Sequence, residues 1–291
     1  MDTEWTPEWK GDTVHPISRR RALVLGGGSV LGAAGAFAVA RGADAADGWR
    51  HLVVVTANIG RKHPGERERA IRDVRHAVRF GGRLAKPLVG WQEIGEGDHD
   101  SREPHWIGTY FGAGYRNLFL HDEAARLVPM SVPRDYTVLD RRVTRVHGGL
   151  AGVTPNRVIT QALLQSADDP RLRFVFANTH YVAGAWNGRT DSHEAWRRRM
   201  WRRHFRMQRD DVLSYWHARG CPVIWTGDVN RSALPLFLPQ HEKRAFRRGI
   251  DHIGWVPGGN GTELRLAGTR SVPMHVDDHD ARVAVFQVRR V

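Results

Sequence analysis

The chain has 291 residues, of which 41% are hydrophobic and 26% are charged, a balance typical of a globular protein with one large core. Its formal net charge of +13 favours polyanionic partners such as nucleic acid or an anionic membrane surface. The sequence contains one cysteine, Cys221, which excludes an intramolecular disulfide.

The first 46 residues contain the parts of an export signal. Three arginines at 19–21 precede an uncharged run at 22–40, and the small-residue pattern Ala-Asp-Ala follows at 43–45. Paired arginines before a Gly/Ala-rich, mildly apolar run resemble a twin-arginine signal. We therefore expect residues 1–45 to be removed and the mature chain to be secreted.

The same segment has an alternative interpretation as a membrane anchor. The run at 22–40 is about as long as the ~20 residues that a transmembrane helix needs, so an uncleaved segment could hold the chain at a membrane. Its five glycines weaken this alternative. Residues 1–45 carry five acidic and five basic side chains, so removal of the signal leaves the net charge of +13 unchanged.

From Trp49 onward the sequence shows no repeat and no interdomain linker, so residues 46–291 are predicted to form a single domain. Apolar runs indicate buried strands, and the helical spacing of Ile71, Val74 and Val78 indicates a helix. Strands are predicted at 51–60, 86–95, 156–164, 172–180, 222–230 and 281–288, and helices at 66–79 and 192–218. This mixture of helices and strands indicates a mixed α/β sandwich.

Polar side chains stand where the apolar runs stop. They are Asn58, Glu93, His180, Asp228, Asn230 and the triplet Asp277-Asp278-His279. Elements packed in one sandwich can bring such strand ends together along one rim. Carboxylate and amide oxygens suit a hard divalent cation, Mg²⁺ above all, which also binds substrate phosphates. Histidines can supply protons near neutral pH.

Six short motifs in a fixed order carry a family resemblance. They are "TANIG" (56–60), "GWQEIG" (90–95), "NTHY" (178–181), "WTGDVN" (225–230), "IDHI" (250–253) and "DDHDARVAV" (277–285). Together they resemble the motif series of the endonuclease/exonuclease/phosphatase superfamily, which is deoxyribonuclease I-like. The resemblance implies a four-layer αββα sandwich, in which two mixed β-sheets pack face to face between outer helices. It also implies a phosphoesterase that depends on Mg²⁺, with Mn²⁺ as a second candidate.

The resemblance assigns the metal site. Glu93 is similar to the principal metal ligand of the family, with Asn58 beside it, and Asp278 matches a carboxylate of the same site.

The resemblance also assigns the catalytic residues. His180 matches a histidine that contacts the phosphate and protonates the leaving group, and Asp228 and Asn230 match the pair that positions the attacking water and the phosphate. Asp251 resembles the carboxylate that orients the final histidine, His279.

Charge and resemblance together indicate a secreted, metal-dependent phosphodiesterase, and we favour a weakly sequence-specific endonuclease that acts on DNA. Lipid and inositol phosphatases share the motif series, so the charge has to decide between substrates. A polyanion that extends beyond the active site can use the basic excess, whereas a single head group can use little of it. Arg157 is a candidate contact to the DNA backbone.

Alternatives stay open for the function. One is a phosphoesterase of the same fold acting on phospholipid, sphingomyelin or inositol phosphates. No amphipathic helix or apolar hairpin is evident in the mature sequence, so no stable membrane association is expected after signal removal. Another is a nucleic-acid-binding module without catalysis, although every catalytic position is filled. We expect a monomer, and we interpret the arginine-rich stretch 197–206 as the solvated face of a helix.

Overall fold

The computed structural model of the protein describes most of the chain after the predicted signal. The described residues are 48–60, 64–80, 83–95, 102–186, 192–276 and 279–291. The predicted signal at 1–45 and the predicted metal ligand Asp278 lie outside them. None of the helices in these ranges combines the length and the apolar character that a membrane span requires.

The described residues form fourteen strands, five α-helices and one π-helical stretch. In chain order they are β1 (Arg50–Asn58), α1 (Pro64–Ala77), β2 (Arg79–Phe80), β3 (Arg83–Leu84), β4 (Leu88–Gln92), α2 (Glu103–Tyr110), β5 (Tyr115–Leu118), α3 (Glu123–Arg126), β6 (Met130–Pro133), β7 (Tyr136–His147), β8 (Arg157–Ser166), β9 (Arg173–His180), α4 (Ser192–Met207), the π-helical stretch Gln208–Ser214, α5 (Tyr215–His217), β10 (Val223–Asp228), β11 (Lys243–Arg244), β12 (Asp251–Val256), β13 (Thr262–Val276) and β14 (His279–Arg290).

Two six-stranded sheets share one plan. The first has the order β13-β14-β1-β4-β6-β5 and the second the order β11-β12-β10-β9-β8-β7, while β2 and β3 form a separate small sheet. In each large sheet the two central strands are parallel, β1 with β4 and β9 with β10, and their outer neighbours are antiparallel. The carboxyl ends of each central pair therefore lie at the same edge of their sheet.

Successive side chains of a strand point to opposite faces of the sheet, and this alternation produces the layers of the fold. Leu52 and Val54 of β1 point into the core between the sheets, where they join Phe176 of β9. Val53 and Val55 point the other way and belong to a second cluster that includes α1 residues. A third cluster, on the outer face of the second sheet, contains buried residues of α4, the π-helical stretch and α5. The predicted four-layer αββα sandwich is thus confirmed.

The predicted helix at 192–218 differs in detail. The chain is helical over most of this range, but seven residues, Gln208–Ser214, have π-helical hydrogen bonding between α4 and α5. Gln208 is buried, and its Oε1 accepts a hydrogen bond from the Tyr181 hydroxyl at 2.8 Å. The stretch is followed by Gly220, whose φ of 73° is the left-handed value typical of a helix stop. The buried face of the helix includes Trp201, Val212 and Trp216.

Candidate active site

The carboxyl ends of the four central strands meet at one rim between the sheets. Asn58 ends β1, Glu93 follows β4, His180 ends β9 and Asp228 ends β10. Nδ2 of Asn58 donates to Asp228 Oδ2 at 2.9 Å and to Glu93 Oε1 at 3.3 Å, so one amide contacts carboxylates from both sheets. Its Oδ1 accepts the N–H of Gly60 at 2.9 Å. Asn58 thus presents a donor to the two acids, and its role as a metal ligand stays a prediction.

Two residues of the rim adopt the left-handed backbone conformation. Glu93 has a φ of 61° and Asn230 a φ of 51°, and they are the non-glycine residues with positive φ within the described ranges. Asparagine tolerates this region, whereas a glutamate there is strained. Such strain is typical of functional sites, where the surrounding structure holds a residue in place. The conformation therefore supports a functional role for the Glu93 carboxylate.

His180 lies between Arg157 and the acids. Nη1 of Arg157 is 2.9 Å from His180 Nδ1, and because a guanidinium can only donate, Nδ1 is the acceptor. The ring proton is then on Nε2, which lies 3.5 Å from Asp228 Oδ2 and 3.8 Å from Glu93 Oε1. The amide nitrogen of Asn230 is 3.3 Å from the same Nε2. Two N–H donors are thus adjacent at this point of the rim.

Asp251 and His279 form a hydrogen-bonded pair, with 2.9 Å between Asp251 Oδ2 and His279 Nδ1. The pair reaches the rim because Asp251 is the register partner of Asp228 in the antiparallel strands β12 and β10. Nε2 of His279 lies 4.0 Å from Asp228 Oδ2. Burial alone would lower the pKa of His279, but the hydrogen bond to Asp251 and the nearby carboxylate charges outweigh it and raise this pKa to about 9. At neutral pH the imidazole is therefore a cationic donor.

The acidic side of the rim fits a metal cation. Burial, and then the charge of Asp251, raise the pKa of Asp228, so the two carboxylates are held together at a cost. Oδ1 of Asp251 is buried and has no hydrogen-bond partner in the part of the chain that the structure describes. Ligand atoms of Asp228 and Asp251 lie within 4.8 Å of each other and of His279, which as a cation is a hydrogen-bond donor and not a metal ligand. With Glu93 alongside, this set offers mainly carboxylate oxygens, the ligand type of hard divalent cations.

A buried polar layer lies below the rim. Gln92 Nε2 donates to Asn178 Oδ1 at 2.6 Å, Thr226 Oγ1 donates to the same oxygen at 3.0 Å, and Thr56 Oγ1 donates to Gln92 Oε1 at 3.2 Å. Gly90 makes room for it, since a Cβ there would lie 2.1 Å from Thr226 Oγ1. The hydrogen bonds of this layer link the two sheets and so fix the positions of the strand ends relative to one another.

Sequence reasoning missed the polar layer, although a signal for it exists. Thr56, Asn178 and Thr226 each interrupt an apolar run two positions before a rim residue, so they share its face of the sheet.

The structure gathers the predicted site residues that it describes. Asn58, Glu93, His180, Asp228, Asn230, Asp251 and His279 all lie on the rim. Arg157 is buried and contacts His180, so it belongs to the site itself, and its predicted contact to a DNA backbone stays a prediction.

Solved structures share this architecture. An endonuclease/exonuclease/phosphatase from Bacteroides vulgatus matches with a TM-score of 0.58 at 14% identity, over 83% of this chain and 100% of that one. A mannosyl-6-phosphatase from Bacteroides thetaiotaomicron matches with a TM-score of 0.54 at 12% identity, over 82% and 99%. ANGEL2, a 2′,3′-cyclic phosphatase solved with adenosine-2′,3′-vanadate, matches with a TM-score of 0.55 at 12% identity, over 82% and 98%.

No protein-family model matches the sequence, and no curated protein does either. The structural likeness shows that the chain has the fold of the endonuclease/exonuclease/phosphatase superfamily, as its motif series predicts.

Proposed function

We propose that this protein is a metal-dependent phosphodiesterase. The observation that carries the proposal is the convergence of strand ends from both sheets, which brings acidic side chains, a cationic histidine and two neutral N–H donors to one rim. Such a set can bind a phosphate, neutralise its developing charge and move protons. The fold supports the proposal, because structures that share it include phosphatases by name.

Glu93, beside Asp228 at the rim, would hold the metal, for which the oxygen-rich donor set favours Mg²⁺ or Mn²⁺. A cation of this class bound there would neutralise charge on the phosphate oxygens. Asn58 positions the two carboxylates, and its own ligation of the metal is part of the same hypothesis.

Three side chains act on the phosphate directly in this proposal. Cationic His279, held by Asp251, donates a charged hydrogen bond, and His180 and Asn230 contribute the two neutral donors. Burial raises the pKa of Asp228, which suits it to take the proton of the attacking water. General acid–base groups of this kind contribute ~10²- to 10⁴-fold in rate.

We propose nucleic acid, and DNA first, as the substrate of the secreted protein. The net charge of +13 supports this choice, because the acidic rim cannot account for a basic excess that must lie elsewhere on the surface. The likeness to a mannosyl-6-phosphatase keeps small phosphate esters as the second candidate, and sphingomyelin and inositol phosphates belong to the same alternative.

Hydrolysis by the full-length chain, with Mg²⁺ and with EDTA, tests the proposal. The substrates are plasmid DNA, bis(4-nitrophenyl) phosphate, mannose 6-phosphate and sphingomyelin vesicles. We expect DNA and the small diester to be cleaved with Mg²⁺ and left intact with EDTA. His180→Ala and His279→Ala should each lose at least ~10²-fold in rate. His105→Ala, on the exposed surface of α2, is the control and should be as active as the parent protein. Near-normal rates for both active-site variants would refute the assignment.

A further inference from the structure

A cavity of about 440 Å³ lies beside the rim. Its walls include Arg145 and His147 at the end of β7, Arg157 at the start of β8, and Arg203 of α4. Arg157 also donates to His180, so a group bound in the cavity would lie next to the reaction centre. The volume is within the ~300–1,000 Å³ range of ligand sites.

Arginines dominate the charge of this cavity. Three of them line it, against the two carboxylates of Asp122 and Glu123. Asp122 and Arg145 engage each other, because Asp122 Oδ2 accepts from Arg145 Nε at 2.7 Å, which leaves Arg157 and Arg203 against Glu123. The cavity therefore suits an anion, and guanidinium groups favour phosphate oxygens in particular.

His147 also lines the cavity. Its Nδ1 accepts the backbone N–H of Gly149 at 3.2 Å, which leaves the ring proton on Nε2. That Nε2 is buried and has no hydrogen-bond partner in the described residues.

Arg203 of the cavity wall belongs to a row of arginines on α4. Arg199, Arg202, Arg203 and Arg206 are all exposed and have the spacing i, i+3, i+4 and i+7, which places them on one face of the helix. None of the four forms an ion pair with another described residue. Like charges at this spacing destabilise a helix, so the row has no structural benefit in the isolated protein.

We propose that the cavity and the arginine row of α4 form one binding path for a nucleic-acid strand. The cavity holds the phosphate next to the scissile one, and the row holds the phosphates beyond it. The row spans about 10 Å at ~1.5 Å per residue. Measured along the axis of a duplex, at ~3.4 Å of rise per phosphate of one strand, that length covers about three phosphates.

This inference rests on the proposed function and specifies its substrate. A single phosphate ester fills the rim alone, whereas a substrate with neighbouring phosphates uses the cavity and the row as well. The stretch at 197–206 is then a contact surface in addition to being solvated, which changes the interpretation drawn from the sequence.

The test compares two triple variants of the full-length chain with equal loss of charge. One is Arg199→Gln, Arg202→Gln and Arg206→Gln. The matched control is Arg134→Gln, Arg171→Gln and Arg219→Gln, three exposed arginines near the opposite ends of the central strands. We expect the α4 variant to raise KM for DNA about tenfold or more and to leave the hydrolysis of bis(4-nitrophenyl) phosphate unchanged. The slope of the logarithm of the DNA-binding constant against the logarithm of the salt concentration should also become shallower, by ~0.9 per lost phosphate contact.

A second comparison isolates the cavity. The double variant Arg203→Gln, Arg145→Gln is assayed on two substrates, an oligonucleotide with two phosphates and a dinucleoside with one. The ratio of their hydrolysis rates should fall by about tenfold relative to the parent protein. Thermal unfolding confirms that each variant is folded. The inference is wrong if the two triple variants bind DNA equally, or if vesicles are hydrolysed and DNA is not bound. If the parent protein hydrolyses no diester, the proposed function fails by itself, and fluorescence anisotropy of a labelled oligonucleotide still decides whether the row binds nucleic acid.

Discussion

Nδ2 of Asn58 donates to Oδ2 of Asp228 at 2.9 Å, although the two residues are 170 positions apart in the chain. One ends a central strand of the first sheet and the other a central strand of the second. Because the same amide also contacts Glu93, the acidic part of the site forms only when the sheets pack in this register. Folding and assembly of the site are therefore one event.

Replacing this amide by a carboxylate should couple stability to metal. Asn58→Asp removes the donor and adds a negative charge beside Glu93 and Asp228, so the free energy of unfolding in EDTA should fall by about 1–3 kcal/mol. Mg²⁺ should recover more stability in this variant than in the parent protein. Urea unfolding with and without Mg²⁺ measures both effects. Asn260→Asp, in the turn before β13, also loses a donor, to the Arg173 carbonyl, and is the control for the response to Mg²⁺. Equal recovery by Mg²⁺ in the two variants would contradict this prediction.

The left-handed conformation of Glu93 predicts an inversion of the usual glycine effect. Glu93→Gly relieves the strain at φ 61°, whereas Glu93→Ala keeps it, so the glycine variant should be the more stable by about 1 kcal/mol. At Arg69, on the exposed side of α1, the order should reverse, because glycine weakens a helix relative to alanine by ~1 kcal/mol. Urea unfolding in EDTA measures the four variants. The same order at both positions would contradict the strain.

The buried imidazole of His147 predicts sensitivity to acid. Burial, and then the charges of Arg157 and Arg203, lower its pKa from 6.5 to about 4. Between these values the unfolded chain binds a proton that the folded protein does not, so the free energy of unfolding falls as the pH falls from 6.5 to 4. His147→Gln should show a weaker fall over this window, measured by urea unfolding, and His105→Gln should behave like the parent. Identical pH profiles for all three proteins would rule out this source of acid sensitivity.

We also propose export through the twin-arginine route, from a segment that lies outside the described residues. Changing both Arg19 and Arg20 to Lys should leave the precursor in the cytoplasm, because the signal is read through the arginine pair. Arg41→Lys, beyond the apolar run, should be exported normally. Cell fractionation and the size of the product measure the export of both variants. Normal export of the variant with Lys at positions 19 and 20 would contradict the proposal.

The sequence predicts the fold and most of the rim for a physical reason. Apolar runs in the sequence indicate buried strands. A polar residue at the end of such a run, for example Asn58 or Asp228, can therefore be placed at a sheet edge without knowledge of the packing. The order of motifs then assigns the partners, and Asp251 indeed lies against His279.

The rest depends on tertiary relationships that no local pattern contains. Arg157 contacts His180 only because β8 pairs with β9 in one particular register. The left-handed backbone of Glu93 follows from the packing around it. The arginine row of α4 can be connected to the site only because Arg203 lies in the wall of the cavity beside the rim.

If this rim hydrolyses phosphodiesters with a metal held by Glu93, the rate of bis(4-nitrophenyl) phosphate hydrolysis depends on Mg²⁺ through that side chain, and a Mg²⁺ titration measures the dependence. The parent protein should be inactive in EDTA and should saturate with Mg²⁺. Glu93→Gln keeps the shape of the side chain but removes a charge from the hard-ion site, so its half-maximal Mg²⁺ concentration should rise about tenfold or more. Glu263→Gln, on the exposed part of β13, should titrate like the parent. Full activity in EDTA, or a titration of Glu93→Gln that coincides with the parent curve, would contradict the account.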